Sequence, residues 1–309
     1  MNRAAQLAST IDKIGWRNRL RSIRTGWPSE SKPDIRFYDG SDVQFRYRER
    51  GTGTPIVFAA DPPVTLELYD ELLEVFSKRF RVIAFELPGM GFSAVRGNFD
   101  FSFEPLNNSI AEFLSAVVGE PAILAFSCGA GLGAVDIAKR HPLLVSRLVI
   151  IQTPSWPEEI KWKNSRDPKN ILRCPFLGQL AMLRLKKSRA PMWLSLSMGP
   201  ENRKLPQFCC CAAETLDKKA GWAMASAFQL YLADDRNDLT PARQPALAIW
   251  GSQDASHLQT NKLSSSALAD KVKIVEFSDL GHFPEIENPA RILELITNFI
   301  AADDSQALL

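Results

Sequence analysis

The segment Ala122-Ile123-Leu124-Ala125-Phe126-Ser127-Cys128-Gly129-Ala130-Gly131-Leu132-Gly133 decides the fold. Five apolar residues ending at a serine read as a buried strand, and the small residues that follow open a helix extending to about Arg140. Ser127 is read as the residue at the strand-to-helix turn. Ala125 and Gly129, two before and two after it, leave room for a strained turn that projects the middle side chain. The competing reading is a serine that caps the next helix. The glycine spacing superficially resembles a dinucleotide fingerprint, but small residues for close helix–sheet packing explain it better directly after such a turn.

Two further strand ends carry chemistry. Ala246-Leu247-Ala248-Ile249-Trp250 runs into Gly251-Ser252-Gln253-Asp254, and Val272 to Phe277 is followed by Gly281-His282-Phe283-Pro284. Only three histidines are present, His141, His257 and His282, so one at the right strand end is not expected by chance. A serine hydroxyl is a weak nucleophile until a base takes its proton, and a buried acid beside that base holds its tautomer. Asp254 could instead be a turn residue, and His282 a capping or surface histidine.

Outward from these segments, strands and helices alternate. Ile35 to Tyr38 and Val43 to Arg50 flank an Asp39-Gly40 turn; Pro55 to Phe58 and Arg81 to Phe85 are short apolar strands; Val145 to Ile151 is another. Helical periodicity lies between them over 66–76, 110–118 and 131–140. Such alternation predicts a mostly parallel α/β sheet covered on both faces. Between Thr153 and Pro241 it stops, and Trp, Leu, Met and Cys dominate a stretch read as a mainly helical insertion at 153–241. The core is then 34–152 and 242–309. Trp156, Trp162, Trp193, Trp222, Met192 and Met198 are expected on the insertion's apolar side.

Residues 1–33 stand apart. Arg3, Lys13, Arg17, Arg19, Arg21 and Arg24 oppose one acid, Asp12, while Leu7, Ile11, Ile14, Trp16, Leu20 and Ile23 recur at helical spacing. A basic amphipathic helix over residues 1–24 lies on a membrane surface, docks on a partner, or packs on its own domain. The stretch 27–33 reads as a linker.

Composition bounds the function. With 309 residues, 45% hydrophobic, the chain can bury a large core; a net charge of +2 gives no drive toward nucleic acid. The five cysteines, Cys128, Cys174 and Cys209-Cys210-Cys211, show no paired spacing, no metal pattern and suit a reducing cytoplasm. The triple run is read as small helix-packing residues rather than a metal or acylation site. No HExxH and no phosphate-cradling GxxxxGK[ST] occurs, so no metal and no nucleotide cofactor is implied.

With these residues in view, the chain resembles the α/β-hydrolase family over roughly 35–302. Leu87-Pro88-Gly89-Met90-Gly91-Phe92-Ser93 looks like the family's loop after the fourth strand, and Arg140-His141-Pro142 the end of its post-nucleophile helix. The resemblance implies an eight-stranded sheet and a helical cap at 153–241. It implies catalysis by Ser127, His282 and Asp254, with backbone N–H groups of Cys128 and Asp61 as the oxyanion hole. Ala60, Phe126 and Phe283, beside these residues, are read as pocket residues; His257 is read as lining the pocket or lying on a surface loop. Two departures stand out. Ala59-Ala60-Asp61-Pro62 replaces the family's His-Gly-x-Pro, and the Asp61 side chain is expected to point away as a turn residue; protonation, a basic substrate group or a water are the alternatives. Pro142 lies fifteen residues after Ser127 (142 − 127), whereas the family's usual fourteen points to Cys128, as in members with a cysteine nucleophile such as dienelactone hydrolases. The bulk of Phe126 at the preceding small position favours Ser127.

The expectation is a hydrolase that cleaves an ester, thioester or lactone of a medium-sized hydrophobic acyl substrate through an acyl-enzyme on Ser127. The base would titrate at an ordinary histidine pKa. A lyase or cyclase on the same fold, and a degenerate binding protein, are the alternatives.

Overall fold

A computed structural model describes residues 3–14, 34–233, 239 and 241–307. The helical spacing read at Trp16, Leu20 and Ile23 and the linker read at 27–33 lie outside the described residues.

Eight strands form one continuous path: β1 Ile35–Asp39, β2 Val43–Arg50, β3 Pro55–Ala60, β4 Arg81–Glu86, β5 Ala122–Ser127, β6 Val145–Ile151, β7 Ala246–Gly251 and β8 Val272–Phe277. Their spatial order is β1-β2-β4-β3-β5-β6-β7-β8, and the two-residue strand Ala94–Val95 adds a ninth against β2. β2 is antiparallel to β1 and β4, and every later pairing is parallel. The chain thus has the mostly parallel α/β sheet that the alternation predicts. β3, β5 and β7 are buried at every position, as central strands covered on both faces must be.

The covering helices include α1 Asp70–Phe76, α2 Phe103–Phe113 and α3 Cys128–Arg140, with α7 Pro289–Ala307 at the end. α1 packs against α7, and α2 against α3. The small residues that open α3 let it seat closely on its neighbours: a Cβ at Gly131 would stand 2.1 Å from Thr153 Oγ1. Between β6 and β7 lie α4 Trp156–Arg166, α5 Leu177–Met198 and α6 Leu205–Asp217, followed by single turns to Tyr231. Cys209, Cys210 and Cys211 lie within α6. Trp156, Trp162, Trp222 and Met198 are buried, whereas Met192 is exposed.

The described N-terminal residues pack on their own chain. Ala5 and Ala8 are fully buried, Gln6 donates to Asp100 at 2.7 Å, and Ser226 donates to Asp12 at 2.6 Å. Among the described residues no helix is long and apolar enough to cross a membrane.

Parallel strands deliver their carboxyl ends to one edge, where α/β sheets place their sites. Asp61 follows β3 and Cys128 follows its neighbour β5. Asp254 follows β7 and His282 follows its neighbour β8.

Candidate active site

β5 continues through Ser127, which keeps extended backbone (φ −109°, ψ 152°) and pairs with Ile151 of β6. The turn comes one residue later. Cys128 has φ +53°, a left-handed conformation that a side chain with a Cβ rarely adopts. Such strain is kept where the surrounding structure imposes it, typically at a reacting group. Cys128 lines the cavity above the sheet edge, whereas Ser127 is 1% exposed and its Oγ has no hydrogen-bond partner. The expectation that Ser127 occupies the turn is therefore corrected to Cys128. The steric argument against Cys128 fails because Phe126 turns its ring into the core, edge-on to Phe85 with centroids 5.5 Å apart.

His282 sits at the centre. Its Nδ1 meets Asp254 Oδ2 at 2.5 Å, the pairing expected from their strand ends. Asp254 is held by Gln152 Nε2 at 2.7 Å and by the backbone N–H of Ser256 at 2.8 Å. A Cβ at Gly251 would lie 2.0 Å from Gly281 O, so bare glycine lets the two loops carrying acid and histidine meet. The N–H of His282 donates to Ser197 O of α5 at 2.9 Å and ties the loop to the helical insertion.

The second imidazole nitrogen departs from expectation. His282 Nε2 pairs with Asp61 Oδ2 at 2.8 Å, so the Asp61 side chain points into the site rather than away. Cys128 Sγ completes the group: one ligating atom each from Asp61, Cys128 and His282 lies within 4.8 Å of the others. Ser127 takes no part. These three groups, and Asp254, His257 and His282, have the composition of metal ligands. A metal would have to displace one of the two carboxylates that His282 already bonds.

The electrostatics follow from burial among carboxylates. Burial opposes the charged form of His282, but the Asp254 charge, with hydrogen bonds to Asp254, Asp61 and Cys128, raises its pKa well above the ordinary value. Burial would raise Asp254, yet the His282 charge and hydrogen bond bring it down to about 2. Burial, then the Glu159 and Asp61 charges, push the Cys128 thiol up despite His282. With a carboxylate on each ring nitrogen the site favours the imidazolium form of His282, and burial among acids favours the neutral thiol of Cys128.

Glu159 carries no signal in the sequence beyond an acid in the first turn of α4. It is fully buried, its Oε1 lies 3.9 Å from Cys128 Sγ, and its Oε2 has no hydrogen-bond partner. His257 is neither exposed nor in the cavity lining: it is buried and stacked between Trp162 and His282, with centroids at 5.1 and 5.5 Å. Burial drives its pKa down to about 3, so it stays neutral against the charged ring. Ala60 and Phe283 are likewise buried outside the lining, Phe283 packing edge-on to His282.

The cavity over Cys128 has about 760 Å³ of empty space, counting its mouth. Leu87, Met90, Phe101, Trp162, Trp193 and Phe228 supply apolar walls, and Asp61, Glu159 and His282 the polar end.

A family model described as alpha/beta hydrolase fold matches residues 59–289. The chain belongs to the α/β-hydrolase fold family. Among similar family members, the biotin biosynthesis bifunctional protein BioHC of Teredinibacter turnerae is 25% identical over 246 residues, 74% of this chain and 40% of that protein. The chain thus spans less than half the length of that relative. The pimeloyl-[acyl-carrier protein] methyl ester esterase of Aeromonas hydrophila is 24% identical over 257 residues, covering 81% of this chain and 96% of the esterase. Among solved structures, an epoxide hydrolase from an endophytic Streptomyces superposes with a TM-score of 0.70 at 17% identity, covering 89% and 97% of the two chains. At that identity the likeness bears on the α/β-hydrolase fold alone.

Proposed function

We propose that this chain is a hydrolase that uses Cys128 as nucleophile to cleave an ester, thioester or lactone of a medium-sized, largely hydrophobic acyl compound. The observation that carries the reading is the left-handed backbone at Cys128, which sets its sulfur beside His282 and Asp61. Relatives named as esterases and hydrolases agree with it. Sγ attacks the acyl carbon and the thiol proton passes to the His282–Asp61 pair. That pair then protonates the leaving alkoxide or thiolate, leaving a thioester on Cys128. In deacylation the pair takes a proton from water, hydroxide attacks the thioester carbon, and the sulfur leaves and recovers its proton. Asp254 holds the imidazole throughout. By the same placement the backbone donors of the oxyanion hole are the N–H of Gly129, the residue after the nucleophile, and that of Asp61.

Intact mass after exposure to an activated acyl ester tests the assignment. Wild type and Ser127→Ala gain one acyl group that hydroxylamine releases, and Cys128→Ala gains none. An adduct that survives in Cys128→Ala and disappears in Ser127→Ala would overturn it.

One observation favours a second reading. Because Asp61 rather than a nucleophile occupies His282 Nε2, the acid–imidazole–acid array suits proton transfer in a lyase or cyclase. Turnover retained by Cys128→Ala and lost by Asp61→Asn would select that reading.

A further inference from the structure

Above Cys128 the cavity walls are almost wholly apolar, and the roof contributes one carboxyl group, that of Glu159. A buried carboxyl normally satisfies both oxygens, because an unpaired polar atom away from water costs free energy. Here Oε1 faces the Cys128 thiol at 3.9 Å, while Oε2 is buried without a partner. The ionisable groups around it are Asp61, His282, Cys128 and Lys163. Lys163, whose Nζ donates to Leu232 O at 2.6 Å, makes no hydrogen bond to Oε2, and its charge is the weakest influence on Glu159 among these groups. Burial first and the Asp61 charge second, against His282 and Lys163, push Glu159 up to about 8. At neutral pH it is chiefly the uncharged acid, whose O–H can only donate. A carboxylic acid kept neutral by an apolar site is a known way to hold a hydrogen-bond donor at pH 7.

We propose that Glu159 is a specificity-determining residue whose carboxylic O–H receives an uncharged acceptor oxygen of the acyl group, a keto, ether or amide carbonyl oxygen close to the scissile carbonyl. This deepens the reading of Cys128 as nucleophile and rests on it for the position of that carbonyl. With Sγ 3.9 Å from Oε1, only a few bonds separate the carbon attached to sulfur from an oxygen that meets Oε2. An unsubstituted acyl chain leaves the O–H unpaired; an oxo-substituted chain satisfies it. The remaining walls then bury the apolar tail. Cationic acyl groups are disfavoured because they require Glu159 to give up its proton first.

Binding of uncleavable amides tests this without any turnover. Paired 3-oxo and unsubstituted medium-chain amides are titrated by calorimetry against wild type, Glu159→Gln and Glu159→Leu. Wild type prefers the oxo ligand on the order of 10- to 100-fold. The preference persists in Glu159→Gln, whose amide still donates, and vanishes in Glu159→Leu. It weakens in wild type as pH rises through about 8 but not in Glu159→Gln. Equal preference in Glu159→Leu would overturn the assignment, and so would tighter binding of an amine-bearing amide that grows with pH. Since no covalent step is read, failure here is distinct from a failure of Cys128 to acylate.

Discussion

The Asp61 carboxylate bonds His282 Nε2 at 2.8 Å, on the side of the ring opposite Asp254, so one imidazole is held between two acids. That relationship changes what the histidine can do. A ring that carries a proton on each nitrogen is first an acid, and it serves as a base only in concert with Asp61.

Neutralising Asp61 should loosen the whole cluster. Its charge or hydrogen bond raises His282, Cys128 and Glu159 together. In Asp61→Asn the pH profile of Cys128 alkylation by iodoacetamide is expected to move to lower pH. For a thiol that titrates well above pH 7, each unit by which the pKa falls raises the thiolate fraction at pH 7 about tenfold, and alkylation speeds up with it. An unmoved profile would mean that Asp61 does not govern the thiol.

Ser127 and Cys128 should separate cleanly. Ser127→Ala removes a buried hydroxyl without a partner, so acylation persists and denaturation shows a gain of up to about 1 kcal/mol. Cys128→Ala abolishes acylation while leaving the turn strain in place. Loss of acylation in Ser127→Ala with a stable fold would reverse the two roles.

Glu159 makes stability depend on pH. Its folded pKa of about 8 lies above the ordinary 4.5, so the native state holds a proton that the unfolded chain releases. Stability is therefore lost as pH rises from about 4.5 to about 8. Glu159→Gln lacks this loss, and its advantage over wild type should grow between pH 5 and 8, up to about 4 kcal/mol. Urea unfolding at the two pH values measures it, and a constant difference would refute the buried neutral acid. Asp254 works oppositely: depressed to about 2, it contributes stability that is lost as pH falls below about 3.8.

Away from the cavity, Arg46 is fully buried on β2, bonded to Glu86 at 3.0 Å and also paired with Glu67. Removing one member of a buried ion pair strands the others. Arg46→Ala should cost about 3–5 kcal/mol by chemical denaturation. A cost under about 1 kcal/mol would mean that the acids find other partners or protonate.

The fold was legible because its signals are local. Uninterrupted apolar runs at 55–58, 122–126 and 246–250 require cover on both faces, and helical spacing between them supplies it. The pairing of Asp254 with His282 was legible too, since neighbouring parallel strands end at one edge. The pocket residues were not: Phe126, His257, Phe283 and Ala60 adjoin the site along the chain but pack beneath or behind it. Glu159 was invisible, because an acid in a first helical turn ordinarily signals only a helix start.

The sequence alone determined that strands would end in a serine–cysteine pair, an aspartate and a histidine, because backbone pattern and turn chemistry act within a few residues. Which of Ser127 and Cys128 faces the histidine, and that Asp61 and Glu159 close around it, was decided by tertiary structure. A one-residue displacement of a tight turn exchanges buried and presented side chains. Its register is set by how Phe126, α3 and the strands pack together, not by any residue alone.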